Sequence, residues 1–131
     1  MNSYAPTVRK SILLVEDDDV VRFLTVEILE EFGYQVRAQG DASSALDLLR
    51  SGEPCDLLMS DVGLPGIGGR ELVEAARELR PTLPVLFASG YSEQGLLDDV
   101  RRKHPQAITE SIVKPFDLDQ LARHLSDLTG S

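Results

Sequence analysis

Two hydrophobic periodicities alternate along this chain, and that alternation constrains its fold more than any other feature. Ser11 to Val15 (SILLV) is a short apolar run of the kind a strand shows when both its faces are covered. From Asp18 to Phe32 the apolar residues Val21, Leu24, Ile28 and Phe32 recur at helical spacing, and Gly33 stops the helix. Tyr34 to Ala38 alternates as a strand. A helix capped by Asp41 follows, with Ala42, Ala45, Leu46 and Leu49 inward, closing before Gly52 and Pro54. The pattern then repeats: a strand over Asp56 to Ser60, and a helix over Arg70 to Leu79 with Leu72, Val73, Ala76 and Leu79 inward. Leu83 to Ala88 reads as the fourth strand, Ser92 to Arg101 as a weaker helix containing Gly95, and Ala107 to Val113 as the fifth strand. Asp117, with Gln120 three residues later, has the capping-box spacing and opens a last helix through Leu121, Leu125 and Leu128.

Five strands alternating with five helices through short loops predict an α/β domain, its parallel sheet covered on both faces by right-handed crossovers. At 131 residues the chain has room for one such domain and not for two. The domain is expected over residues 11–129, with short tails at 1–10 and 130–131. Ligands of such sheets bind at the carboxyl ends of the strands, beside the point where the strand order reverses. The residues that follow each strand are therefore the informative ones.

Composition removes several function classes first. Acids outnumber Lys plus Arg by 22 to 13, for a net charge of −9, which argues against direct binding of nucleic-acid phosphates or an anionic membrane surface. No apolar run approaches ~18 residues, so membrane insertion is not expected. The single cysteine, Cys55, excludes an intrachain disulfide and a cysteine-rich metal site, and suits a reducing, cytoplasmic setting. His104 and His124 lie far apart in polar or helical contexts, as surface histidines do, and make no zinc site. Arg101, Arg102 and Lys103 read as a solvated helix end favoured by the helix dipole.

After the first strand come Glu16, Asp17, Asp18 and Asp19. Four consecutive carboxylates repel one another unless a cation gathers some of them or a helix N-terminus takes one. Both readings apply: Asp18 or Asp19 starts the helix, and Glu16 and Asp17 point back over the sheet edge. The third strand runs into Asp61 and the loop Val62-Gly63-Leu64-Pro65-Gly66. Taken alone, Asp61 equally fits an Asx-turn. If the first and third strands are neighbours, however, Asp17 and Asp61 converge, and oxygen ligands of that kind suit Mg²⁺ rather than zinc. The fourth strand ends in Ser89-Gly90 and the fifth in Lys114-Pro115, where the bond to proline is a candidate for the cis form. Each feature is weak singly. Acids, a lone Asp, a hydroxyl and a Lys after strands one, three, four and five together have the chemistry of phosphoryl transfer to a carboxylate.

With those residues in hand, the sequence resembles the receiver domain of two-component response regulators from about Ser11 to Leu128. The likeness rests on Ile12 to Asp18, on Asp56 to Asp61 with Leu64-Pro65-Gly66, on Ser89-Gly90 and on Lys114-Pro115-Phe116. It implies a flavodoxin-like, doubly wound sheet in the order 2-1-3-4-5. It also implies that Asp61 is the phosphoacceptor, with Glu16, Asp17, Asp61 and the Gly63 carbonyl holding Mg²⁺ (or Mn²⁺). Ser89 and Lys114 would bind the phosphoryl oxygens. The implied donor is a phosphohistidine on a histidine kinase or histidine phosphotransfer protein. The output would pass through the fourth helix, fifth strand and fifth helix to a downstream protein, or to a covalently linked kinase or output domain. A stand-alone regulator and the receiver of a hybrid sensor kinase both fit. Many members carry an aromatic residue three positions before the lysine, where this chain has Ser111. Coupling of the hydroxyl to burial of a ring at that position is therefore missing. Tyr91 and Gly63, each two residues past a site residue, are expected to tune the lifetime of the phosphoryl group.

Two rival readings remain at this level. Asp17-Asp18-Asp19-Val20-Val21 fits the D-x-D-x-[TV] pattern of haloacid-dehalogenase-like phosphatases, with Asp17 as nucleophile and Asp19 as acid/base. That reading leaves Asp61 and its loop unexplained, and the chain is short for a catalytic core with a cap. A pseudo-receiver, binding proteins independently of phosphorylation, is the other.

Overall fold

The computed structural model describes residues 9–130; the expected tail at 1–10 lies mostly outside the described residues. Five strands, β1 (Ser11–Val15), β2 (Gln35–Gln39), β3 (Leu57–Asp61), β4 (Val85–Ser89) and β5 (Thr109–Val113), alternate with five helices. The helices are α1 (Asp19–Glu31), α2 (Ala42–Arg50), α3 (Gly69–Leu79), α4 (Gln94–Lys103) and α5 (Leu118–Thr129). The strands pair in parallel in the order β2-β1-β3-β4-β5, the order the resemblance implies. The chain leaves β1 toward one edge and returns to β3 on the other side, so the reversal point lies between β1 and β3.

Local chemistry sets the helix starts. The Asp18 carboxylate accepts hydrogen bonds from the Val20 and Val21 amides, both at 2.9 Å, which makes Asp18 the cap of α1 and Asp19 its first residue. Asp41 accepts from the Ser44 amide at 2.7 Å, and Asp117 from the Gln120 amide at 3.0 Å, opening α2 and α5.

Alternate residues of each central strand feed two cores. Leu13, Val15, Leu58, Val85 and Phe87 pack under α2, α3 and α4. Ile12, Leu14, Leu57, Met59, Leu86 and Ile112 pack under α1 and α5 through Leu29, Leu121, Leu125 and Leu128. Burial of each such side chain stabilises the fold by about 1.5–3 kcal/mol before entropy is counted.

Three expectations about packing need correction. In α1 the residues turned fully inward are Thr25 and Leu29, while Leu24 is 53% exposed and Phe32 37%. This helix is apolar over more than one face, so helical spacing alone selects between overlapping stripes, and the sheet takes the Leu29 side. Thr25 is tolerated there because its hydroxyl donates to the Val21 carbonyl at 2.7 Å. In α3 Leu79 is turned outward, and Arg77 is buried instead, 3% exposed. Its guanidinium donates to the Leu83 carbonyl (3.1 Å), the Thr109 hydroxyl (2.8 Å) and the Ile108 carbonyl (3.0 Å). Only a forked donor reaches all three, so Arg77 ties the end of α3 to the chain entering β4 and β5. Burial among neutral partners lowers its pKa to about 10, which leaves it charged at neutral pH. His104, expected at the surface, closes α4 with its Nε2 buried and unpartnered among the described residues; burial and the nearby Arg77 charge lower its pKa.

Candidate active site

Register places the strand ends together. Val15 pairs with Ser60 across β1 and β3, so Glu16 and Asp17 emerge beside Asp61. Asp61 pairs with Ala88 on β4, one residue before Ser89, and Ser89 pairs with Val113 on β5, one residue before Lys114. The Lys114 amide then donates to the Ser89 carbonyl at 2.7 Å, which prolongs that pairing by one step.

The side chains follow the backbone. The Lys114 ammonium donates to Glu16 Oε1 at 2.6 Å and lies 3.3 Å from Asp61 Oδ2. Glu16 is 5% exposed and Asp17 is open to solvent. One carboxylate oxygen from each of Glu16, Asp17 and Asp61 comes within 4.8 Å of the others. The second oxygen of Glu16 accepts from the Asp18 amide at 3.1 Å, so a buried carboxylate has partners on both oxygens. Arg22 fixes the same turn, donating to the Glu16 carbonyl at 2.8 Å and pairing with Asp19 at 2.6 Å. Burial of the Lys114 ammonium pulls its pKa down, but the Glu16 hydrogen bond and the Asp61 charge outweigh it and leave the pKa above its ordinary value. The Lys114–Pro115 bond is cis. Three carboxylates with no nitrogen or sulfur donor form a hard-oxygen set, which fits Mg²⁺ or Mn²⁺ and not zinc.

The remaining sequence-derived residues are placed less uniformly. Ser89 is buried; its hydroxyl donates to Glu93 Oε2 at 2.9 Å and accepts from the Tyr91 amide at 3.2 Å. The Tyr91 side chain is 77% exposed. Gly63 is exposed in the loop after β3. Ser111 pairs with Phe87 across β4 and β5 and is half-buried, with no ring at that position. Asp19, the acid/base of the hydrolase reading, is held by Arg22 on the first turn of α1.

Three residues at this edge were not found by sequence reasoning. Arg22 carried a weak signal, its i,i+3 spacing from Asp19. Gly69, the first residue of α3, carried only the Gly68-Gly69 pair; a Cβ there would stand 2.6 Å from the Asp61 carbonyl oxygen. Glu93 carried none, because its contact with Ser89 depends on the path of the chain between β4 and α4.

Comparison with known proteins agrees with this geometry. The family model described as the response regulator receiver domain matches residues 12–126. The response regulator receiver protein CpdR of Brucella abortus is 33% identical over 119 residues, covering 91% of this chain and 96% of that protein. The sensor kinase CckA of the same organism is also 33% identical over 119 residues, but this chain spans only 12% of its length. The receiver domain of the sensor histidine kinase PA1611 from Pseudomonas aeruginosa superposes with a TM-score of 0.77 at 25% identity, covering 95% of this chain and all of that one. That structure has a magnesium ion coordinated in its active-site cleft. Among the described residues no helix is long and apolar enough to cross a membrane. Neither the hydrolase nor the pseudo-receiver reading is favoured by these likenesses. With the sheet order, the converging strand ends and a family match over nearly its whole length, the chain belongs to the response regulator receiver domains of two-component and phosphorelay signalling.

Proposed function

We propose that Asp61 accepts a phosphoryl group from a phosphohistidine, with Glu16, Asp17, Asp61 and the Gly63 carbonyl holding Mg²⁺ or Mn²⁺. The observation that carries this reading is the position of the Lys114 ammonium, bonded to Glu16 and 3.3 Å from Asp61 among three converging carboxylates. A carboxylate oxygen of Asp61 forms the new O–P bond as the N–P bond to the donor imidazole breaks, and that bond's electron pair returns to the imidazole nitrogen. When bound, the ion supplies positive charge beside the oxygens of the transferring group. Lys114 supplies a second, fixed positive charge, and the Ser89 hydroxyl supplies a hydrogen bond to one of those oxygens. The strand ends that carry these groups are neighbours in the sheet, which supports their acting together.

The donor in this reading is a histidine kinase or histidine phosphotransfer protein. The target is a downstream protein or a linked kinase or output domain. Val20, Phe23 and Leu24, exposed on the helix that begins just after Glu16 and Asp17, support a protein donor, since they give apolar contact area beside the site. The reading assigns residues 11–129 to the domain and its work to the cytoplasm.

Incubated with acetyl phosphate and Mg²⁺, the chain is expected to gain one phosphoryl group by intact mass. Replacing Mg²⁺ by EDTA is expected to slow the gain by about tenfold or more, the worth of a single ~1.4 kcal/mol of charge stabilisation. Equal rates with and without the ion would overturn the metal assignment. Once formed, the aspartyl phosphate is expected to decay at a rate that Tyr91→Ala and Gly63→Asn each change several-fold, on the order of 1 kcal/mol in barrier. In this reading the Tyr91 ring and a side chain added at position 63, each two residues past a site residue, alter access of water to Asp61; decay identical to the unmodified chain would remove both positions from the modulatory set.

A further inference from the structure

The Ser89 hydroxyl has one proton to give. In the unphosphorylated chain that proton is committed to Glu93 Oε2 at 2.9 Å, while the Ser89 oxygen accepts from the Tyr91 amide. A phosphoryl group on Asp61 needs the same proton, so the two acceptors are mutually exclusive. We propose that Glu93 is a positioning residue that holds the Ser89 hydroxyl in the unphosphorylated state and releases it when Asp61 is phosphorylated. The proposal rests on the reading of Asp61 and Ser89 given above.

Glu93 is also the residue from which α4 starts. Its carbonyl accepts from the Leu97 amide at 2.9 Å, but its side chain makes no capping bond to α4. A carboxylate at a helix N-terminus ordinarily serves the free amides of the first turn. Here it is spent on Ser89 instead. Release of the hydroxyl therefore returns Glu93 to α4, and a single exchange of acceptors links the charge on Asp61 to the start of that helix. The device needs no ring at position 111, where this chain has serine.

Beryllofluoride with Mg²⁺, a stable analogue of the aspartyl phosphate, provides the test. Glu93→Gln keeps the shape and removes the charged acceptor. It is expected to tighten beryllofluoride binding about tenfold, the worth of one charge-assisted hydrogen bond. In the free Glu93→Gln protein the amide resonances of Gln94 to Leu97 are expected to move toward their positions in the beryllofluoride-bound unmodified chain. In a Ser89→Ala background the gain in affinity is expected to vanish. A gain of the same size in that background means that Glu93 acts on the anion through its charge alone, and overturns the proposal; so does no gain at all. Unmodified protein that fails to bind beryllofluoride, or binds it equally well as Asp61→Asn, overturns the underlying site reading as well. Binding by the unmodified chain with an unchanged Glu93→Gln affinity overturns only the role of Glu93.

Discussion

Asp61→Asn is expected to abolish phosphoryl incorporation from acetyl phosphate, a fall of about a thousandfold or more, beyond ~4 kcal/mol of barrier. The amide matches the carboxylate in shape, so the strand pairing to Ala88 and the fold remain. What it lacks is the charge that makes the oxygen a nucleophile and a hard metal ligand, and that faces Lys114 at 3.3 Å. The comparison with Asp17→Asn separates this reading from the hydrolase alternative. In the receiver reading Asp17→Asn weakens metal binding and slows labelling without moving the label. In the hydrolase reading it is the Asp17 variant that loses the label and the Asp61 variant that keeps it. Phosphate-affinity electrophoresis with peptide mapping of the labelled carboxylate reads both, and a label persisting in Asp61→Asn would falsify the assignment of the acceptor.

Most of the residues gathered at this sheet edge are legible in the sequence because they follow strand ends, and strand ends are easy to find. Glu16, Asp17, Asp61, Ser89 and Lys114 all fall just after a short apolar run or close it. The alternation of periodicities gave the elements but not their order, since pairing β1 with β3 is a contact between distant segments; the order came from the family resemblance. Misreadings cluster where tertiary packing chooses between local options. The buried face of α1 is not legible in its spacing because the helix is apolar on more than one side, and the sheet alone decides that Leu29 goes in and Leu24 stays out. Arg77 looks like an ordinary surface residue until the fold brings the Leu83 carbonyl, the Thr109 hydroxyl and the Ile108 carbonyl within reach of one guanidinium. Glu93 belongs to the same class, an acid in a loop whose partner is set by chain geometry.

Gly69→Ala provides the sharpest test of how tightly the acceptor loop is built, because two local rules give it opposite signs. Gly69 opens α3, and alanine is the better helix former by up to ~1 kcal/mol, so propensity alone favours the substitution. Packing opposes it. The added methyl would stand 2.6 Å from the Asp61 carbonyl oxygen, 3.0 Å from Val62 Cα and 3.1 Å from the Val62 carbonyl oxygen, all backbone atoms that have no rotamer to change. Either α3 lifts from the loop, breaking the 3.0 Å bond from the Gly69 amide to the Val62 carbonyl, or the Asp61 backbone is pushed back toward β4. Packing is expected to win, with a net loss of about 1–3 kcal/mol in urea unfolding. Labelling from acetyl phosphate is expected to fall with it even where the protein remains folded, since a displaced Asp61 no longer faces Lys114. Gly95, near the start of α4, is the control: a methyl there meets nothing within 4 Å, and Gly95→Ala is expected to stabilise by a few tenths to ~1 kcal/mol. If Gly69→Ala matches Gly95→Ala in stability, the close approach of α3 to the acceptor strand is not tight, and Asp61 is held by its strand pairing alone.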